Sequence, residues 1–158
     1  DPSAEAEVEG LIPRAPARRP ADVLTSAAPP GSLAALLAEG DFEAAARRYV
    51  SLSSSETRQL LSERDSLVLG TWMASKGHPH AALVLFQRHI RDYPIGPTAA
   101  EAHVGAGLLQ LRTFSQPTAA YQHLVEALGL DPNAETAQRA RQGLDQIAAL
   151  KKFRLNAF

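Results

Sequence analysis

The apolar positions of this chain recur at intervals of three and four, the period of a helix rather than the alternation of a strand. Residues 63 to 94 show it best. Leu67, Leu69, Gly70 and Met73 stripe a first helix, Gly77-His78-Pro79 marks a turn, and Ala81, Ala82, Leu85, Phe86 and Ile90 stripe a second helix that Pro94 stops. Upstream, Ser32 is placed to cap a helix over 33 to 39, with Leu33, Leu36 and Leu37 on one side. Gly40 closes it, and Asp41 caps a second helix to about residue 51 that turns Phe42, Ala45, Ala46 and Tyr49 inward. Ser53 with Glu56, and Ser62 with Asp65, are two further start signals, so the pattern between Glu56 and Lys76 fits one long helix or two pieces.

Downstream, Thr98 with Glu101 forms a capping box for a helix from Ala99 to about Phe114, and Pro117 opens a partner running to Leu128. Asp131-Pro132-Asn133 introduces a last helix, 134 to 151, with a narrow apolar face of Ala137, Ala140, Leu144, Ile147 and Ala148. Its other face carries Glu135, Gln138, Arg139, Gln142 and Lys151. Phe153, Leu155 and Phe158 continue past it, either folding back on that helix or standing as a sticky end.

The helical pairs repeat. Ala82 to Ala120, Phe86 to Leu124 and Pro94 to Pro132 are each 38 residues apart, whereas Gly70 to Gly105 is 35, which places extra length between Gly105 and Ala120. Gly40, Ala45 and Tyr49 repeat the spacing of Gly77, Ala82 and Phe86. A small residue at a helix crossing (Gly70), a glycine turn (Gly77), a second small residue (Ala82), an aromatic plug (Phe86) and a terminal proline (Pro94) resemble a tetratricopeptide (TPR) repeat, whose period is about 34. The resemblance covers about residues 32 to 150, best in the central pair. The chain departs from the family at Ser66, Met73 and His89, where the family favours tryptophan, tyrosine and alanine. The segments Asp92-Tyr93-Pro94 and Ala99-Ala100-Glu101-Ala102 are also similar to TPR proteins of the bacterial envelope, and the long third pair to helical tails of rhomboid-type bacterial membrane proteins.

The resemblance implies an all-α fold: a TPR-like right-handed stack of about three helical hairpins plus a C-terminal capping helix, over residues 31 to 152. A stack of this kind needs an end piece because each unit buries its face only against a neighbour. The resemblance also implies a concave groove lined by the first helix of each pair. The matching positions are Arg64, Leu67, Thr71, Ala74 and Ser75 in the central unit, and Ala99, Ala102, Ala106, Leu109 and Gln110 in the third. Such a surface is mostly small and apolar, and suits an apolar helix or an extended peptide. Members of the family that grip a chaperone's C-terminal carboxylates use lysine, arginine and asparagine on this face, and Leu67 and Thr71 occupy the first matching positions here, so no carboxylate clamp is expected. Leu67 and Leu109 are equally readable as core.

Composition narrows the partners. The net charge is −1 and no basic run is interleaved with aromatics, which argues against a nucleic-acid surface. No stretch approaches 18 uncharged apolar residues, so direct membrane insertion is not expected. The chain has no cysteine, hence no disulfide framework or thiolate metal site. Residues 1 to 30 hold six of the eleven prolines and read as a disordered Pro/Ala-rich linker, interrupted by Val8 with Leu11-Ile12 and by Val23-Leu24. These patches suit either a plain tether or a short docking peptide, in cis or for a neighbour. Residues 153 to 158 form a C-terminal tail. The absence of a leading methionine is expected of a mature fragment.

Catalytic signatures are scarce: there is no glycine-rich phosphate loop, G-x-S-x-G or H-E-x-x-H. His78 and His80 flank a turn without a third ligand at a supporting spacing, so no metal or other cofactor is expected. His103 and His123 fall on opposing helices as polar contacts. Trp72, the lone tryptophan, is either packing between units or an aromatic anchor for a ligand. The sequence therefore leads to a non-catalytic protein–protein interaction module, a scaffold or adaptor for a protein or peptide. The alternative is a structural domain that self-associates or braces a larger membrane-tethered bacterial protein. A third reading is a small-molecule binder using the apolar groove.

Overall fold

A computed structural model describes residues 30 to 52 and 61 to 157. Among these residues the chain is all-α, with seven helices and no strand: α1 (Leu33–Ala38), α2 (Phe42–Ser51), α3 (Glu63–Ser75), α4 (Pro79–Asp92), α5 (Pro97–Arg112), α6 (Pro117–Leu128) and α7 (Ala134–Ala157). The expected linker (Pro30 apart), the helical turn expected after Glu56 and the terminal Phe158 lie outside the described residues. No described helix is long and apolar enough to cross a membrane.

Local chemistry sets the helix starts. Ser32, Asp41, Ser62 and Asn133 each accept from a backbone N–H three residues on, at 3.3, 3.1, 3.1 and 2.8 Å. Each bond satisfies one of the donors that a first helical turn leaves unpaired. Pro79, Pro97 and Pro117 occupy first-turn positions, where a missing N–H costs least. The turn between α3 and α4 needs Gly77, whose φ of +86° disfavours any side chain. Helix α5 begins two residues before the capping box implied: Gly96 precedes it, and the Thr98 hydroxyl donates to the Glu63 carboxylate on α3 rather than capping its own helix.

Each helix packs on its sequence neighbours α3 through α7, α1 packs on α2, and α1, α3, α5 and α7 form a contacting series of alternate helices. Phe86 of α4 fills the crease between α3 and α5. A Cβ on Gly70 would stand 2.9 Å from its ring, and one on Gly105 would stand 2.7 Å away. One unit later, Leu124 of α6 fills the crease between α5 and α7, where a Cβ on Gly107 or Gly143 would meet it at 2.9 and 2.6 Å. The glycine that serves Leu124 as Gly70 serves Phe86 is thus Gly107, not Gly105; Gly105 corresponds to Gly143, 38 residues on. The 35-residue spacing compared two different faces. The three residues by which α5 exceeds α3 lie before Gly107, at the start of the helix, and one further residue enters the turn before α6.

The 38-residue offset also explains why α7 ends the packing. Ala102, Ala106 and Leu109 of α5 face back into the core around Phe86, and Ala140, Leu144 and Ile147 of α7 face back into the core around Leu124. The forward face of α5 is buried: Ala100, His103, Val104, Gly107, Leu108 and Leu111. The same positions on α7 are Gln138, Arg141, Gln142, Asp145, Gln146 and Ala149, all exposed. A face of that composition offers little apolar area to a further layer. Helix α7 does not stop near residue 151, however. It continues to Ala157 with Phe153 and Leu155 exposed at 74% and 71%, so neither folds back on the helix. The sequence after Lys151 contains no glycine or proline, and the first residue suited to a helix end is Asn156.

Candidate functional site

An open groove of about 350 Å³ crosses α3, α5 and the start of α7. From α3 it takes Thr71, Ala74 and Ser75; from α5, Glu101, Gly105, Leu108 and Arg112; and from α7, Arg139, with the edge of Phe86 beneath. Small side chains make the floor because the α3–α5 crease must admit Phe86. Arg112 also donates from Nε to Gln146 Oε1 at 3.2 Å, which ties the rim to α7.

The expected groove residues divide. Thr71, Ala74 and Ser75 line it, as does Leu109 at its buried edge, and Arg64 is exposed but outside it. Leu67, Ala99, Ala102, Ala106 and Gln110 are buried, and none of them lines the groove. The α5 face is turned by one residue: spacings of four, three and four from Glu101 reach Gly105, Leu108 and Arg112. Of the α5 positions expected in the groove, Leu109 alone lines it. The groove is consequently more polar than expected, with one carboxylate and two guanidinium groups on its walls.

A larger groove, about 620 Å³, runs between α6 and the C-terminal half of α7. Pro117, Tyr121, Leu144, Ile147 and Leu150 give it an apolar bed, and Lys151 and Arg154 stand at one end. Sequence reasoning missed it, although the signal was present in the apolar and basic residues that follow Ala149.

Two of the departures from the repeat pattern answer each other. Ser66 of α3 and His89 of α4 stand where the resemblance leads us to expect tryptophan and alanine, and their Oγ and Nδ1 are 2.7 Å apart in the core. That is the distance of a nucleophile–base pair, but Ser66 is 5% and His89 1% exposed, and neither lines either of the two grooves described above. His89 packs on the Tyr93 ring at 5.2 Å, and its Nε2 is buried without a hydrogen-bond partner among the described residues. Burial pushes its pKa below the ordinary imidazole value, against the pull of Glu63 and Asp92. Ser66→Ala leaves both ring nitrogens of His89 unpaired. We expect it to cost about 1–3 kcal/mol in urea unfolding; a loss under about 0.5 kcal/mol would mean that the pair contributes no net hydrogen bond.

His103 of α5 and His123 of α6 also join, Nδ1 to Nδ1 at 2.8 Å, and His103 Nε2 stands 3.4 Å from Glu126 Oε2. Burial lowers both pKa values; the neighbouring imidazole lowers that of His103 further, while Glu126 opposes the shift in each. With both rings neutral, one nitrogen donates and the other accepts. His78 stacks on Trp72 at 6.0 Å and His80 tilts against Phe114 at 4.7 Å, so each turn histidine rests on an aromatic neighbour. Trp72 in turn stacks on Phe42 of α2 at 6.2 Å, the packing role between the first two units. No family model, no curated protein and no solved structure matches this chain.

Proposed function

We propose that the chain is a non-catalytic interaction module, a TPR-like right-handed stack of helical hairpins that holds an extended peptide of a partner protein across α3, α5 and the start of α7. The observation that carries this reading is the small-residue floor of that groove, formed by Thr71, Ala74, Ser75 and Gly105. Small side chains let a second backbone approach closely. Glu101, Arg112 and Arg139 give the walls charges of both signs, which favours a peptide with an apolar side chain toward Leu108 and an acidic one toward Arg112 and Arg139. In a scaffold or adaptor such a groove sets the choice of partner.

The test uses a random peptide library selected on the full chain and counter-selected on Thr71→Arg with Arg112→Glu. Both positions are exposed, so the variant keeps the core. Peptides retained by the wild type are expected to lose at least tenfold in affinity for the variant and to share an acidic and an apolar position. Equal binding to both proteins overturns the groove assignment. Ala106 is unsuitable for such a test because it is fully buried, and a charge there would disrupt the fold. The second reading, self-association or bracing within a larger protein, is favoured by the exposed Phe153 and Leu155 on the overhanging end of α7.

A further inference from the structure

We propose that the acidic, apolar segment at the start of the chain, residues 5 to 12, seats in the groove between α6 and the overhanging end of α7. The groove is the larger of the two and has an apolar bed in Tyr121, Leu144, Ile147 and Leu150. Tyr121 and Leu150 remain about half exposed, an apolar opening beside two cations. Those cations are Lys151 and Arg154, and no carboxylate among the described residues lines the groove. An occupant therefore needs apolar side chains and negative charge together.

One stretch of this chain has that composition. Residues 1 to 12 carry Asp1, Glu5, Glu7 and Glu9 with no basic side chain, interleaved with Val8, Leu11 and Ile12. Residues 150 to 157 carry Lys151, Lys152 and Arg154 with no acidic one. In a chain of net charge −1, these two ends are complementary.

The reach is sufficient. Three helix layers separate α1 from α7, roughly 30 Å at the usual 8–10 Å between packed helices. The seventeen residues from 13 to 29 can span up to about 56 Å of extended chain. A tether of that length keeps the segment at an effective concentration near the millimolar range, so a weak contact suffices for occupancy in cis. The contact brings the two termini of the chain together across the stack and leaves the groove on α3 and α5 open.

The absence of cysteine makes the test direct. Ala6→Cys carries a single nitroxide label on the full chain, and line broadening is read at the backbone amides. Broadening is expected at Tyr121, Ile147 and Lys151, in dilute protein and independent of concentration. It is expected to disappear with Lys151→Glu plus Arg154→Glu, and to return when Glu5, Glu7 and Glu9 are replaced by lysine in that background. Unchanged α3 and α4 amides report that each variant is folded, and 0.5 M salt gives the same release without a mutation. Groove amides that never broaden overturn the proposal, as does broadening that survives charge reversal. Broadening that appears only between a labelled and an unlabelled copy overturns it in favour of a second copy as occupant.

Discussion

Phe86→Ala lowers stability by about 3–5 kcal/mol, a large share of what a domain of this size has to lose. The ring is almost wholly buried and lies in the crease between α3 and α5. Gly70 and Gly105 face it there without side chains, so neither can fill the space. The converse change is the sharper test. A methyl group on Gly105 would stand 2.7 Å from the ring tip, and a ring moved off it is pushed toward Gly70 unless α4 itself backs away. Gly105→Ala should therefore destabilise the wild type. In the Phe86→Ala background the clash is gone, and the same methyl gains up to about 1 kcal/mol of helix propensity. Urea unfolding of the four proteins checks this change of sign; equal effects of Gly105→Ala in both backgrounds would refute the wedge.

The second large effect is loss of stability in mild acid. His89, His103 and His123 are all held below the ordinary imidazole pKa, chiefly by burial. Between the depressed folded values and the unfolded value of about 6.5, the unfolded chain binds more protons than the folded one. Their contribution is thus fully present above about pH 6.5 and is lost as the pH falls through that value and on through the folded ones. Each excess proton contributes a slope of up to about 1.4 kcal/mol per pH unit. His103 and His123 titrate as a pair, since protonating either changes what the other faces. The onset near pH 6.5 separates this effect from carboxylate protonation, which begins lower. Melting temperatures from pH 7.5 to 4.5 check it. His123→Gln is expected to flatten the fall, and a melting temperature level down to pH 5 would rule the effect out.

Much of the fold was readable because helix periodicity and capping are local. Ser32, Asp41, Ser62 and Pro117 mark starts that need no knowledge of the rest of the chain. What failed was non-local. Thr98 looks like a cap from its own neighbourhood, yet it bonds to Glu63. The groove on α5 was mostly misplaced because Gly105 and Gly107, two residues apart, are both helix-facing glycines, and only the packing tells which meets Phe86 and which meets Leu124. Ser66 and His89 were visible as departures from a pattern, but two departures 23 residues apart do not announce that they compensate each other. The overhang of α7 was underestimated for a different reason: with no glycine or proline after Lys151, the helix continues past the layer that supports it.

Trp72 has a practical consequence. As the lone tryptophan, it is the source of essentially all long-wavelength emission from the chain. It sits between Phe42 of the first unit and His78 of the turn that follows its own helix. Its fluorescence is therefore a built-in gauge of one joint, the seating of α1 and α2 on α3. A hydrated indole, shifted to the red, marks that joint opening while the rest of the chain stays folded. Trp72 emission and whole-chain circular dichroism, followed together in one titration, then distinguish a molecule that unzips from its first unit from one that melts all at once.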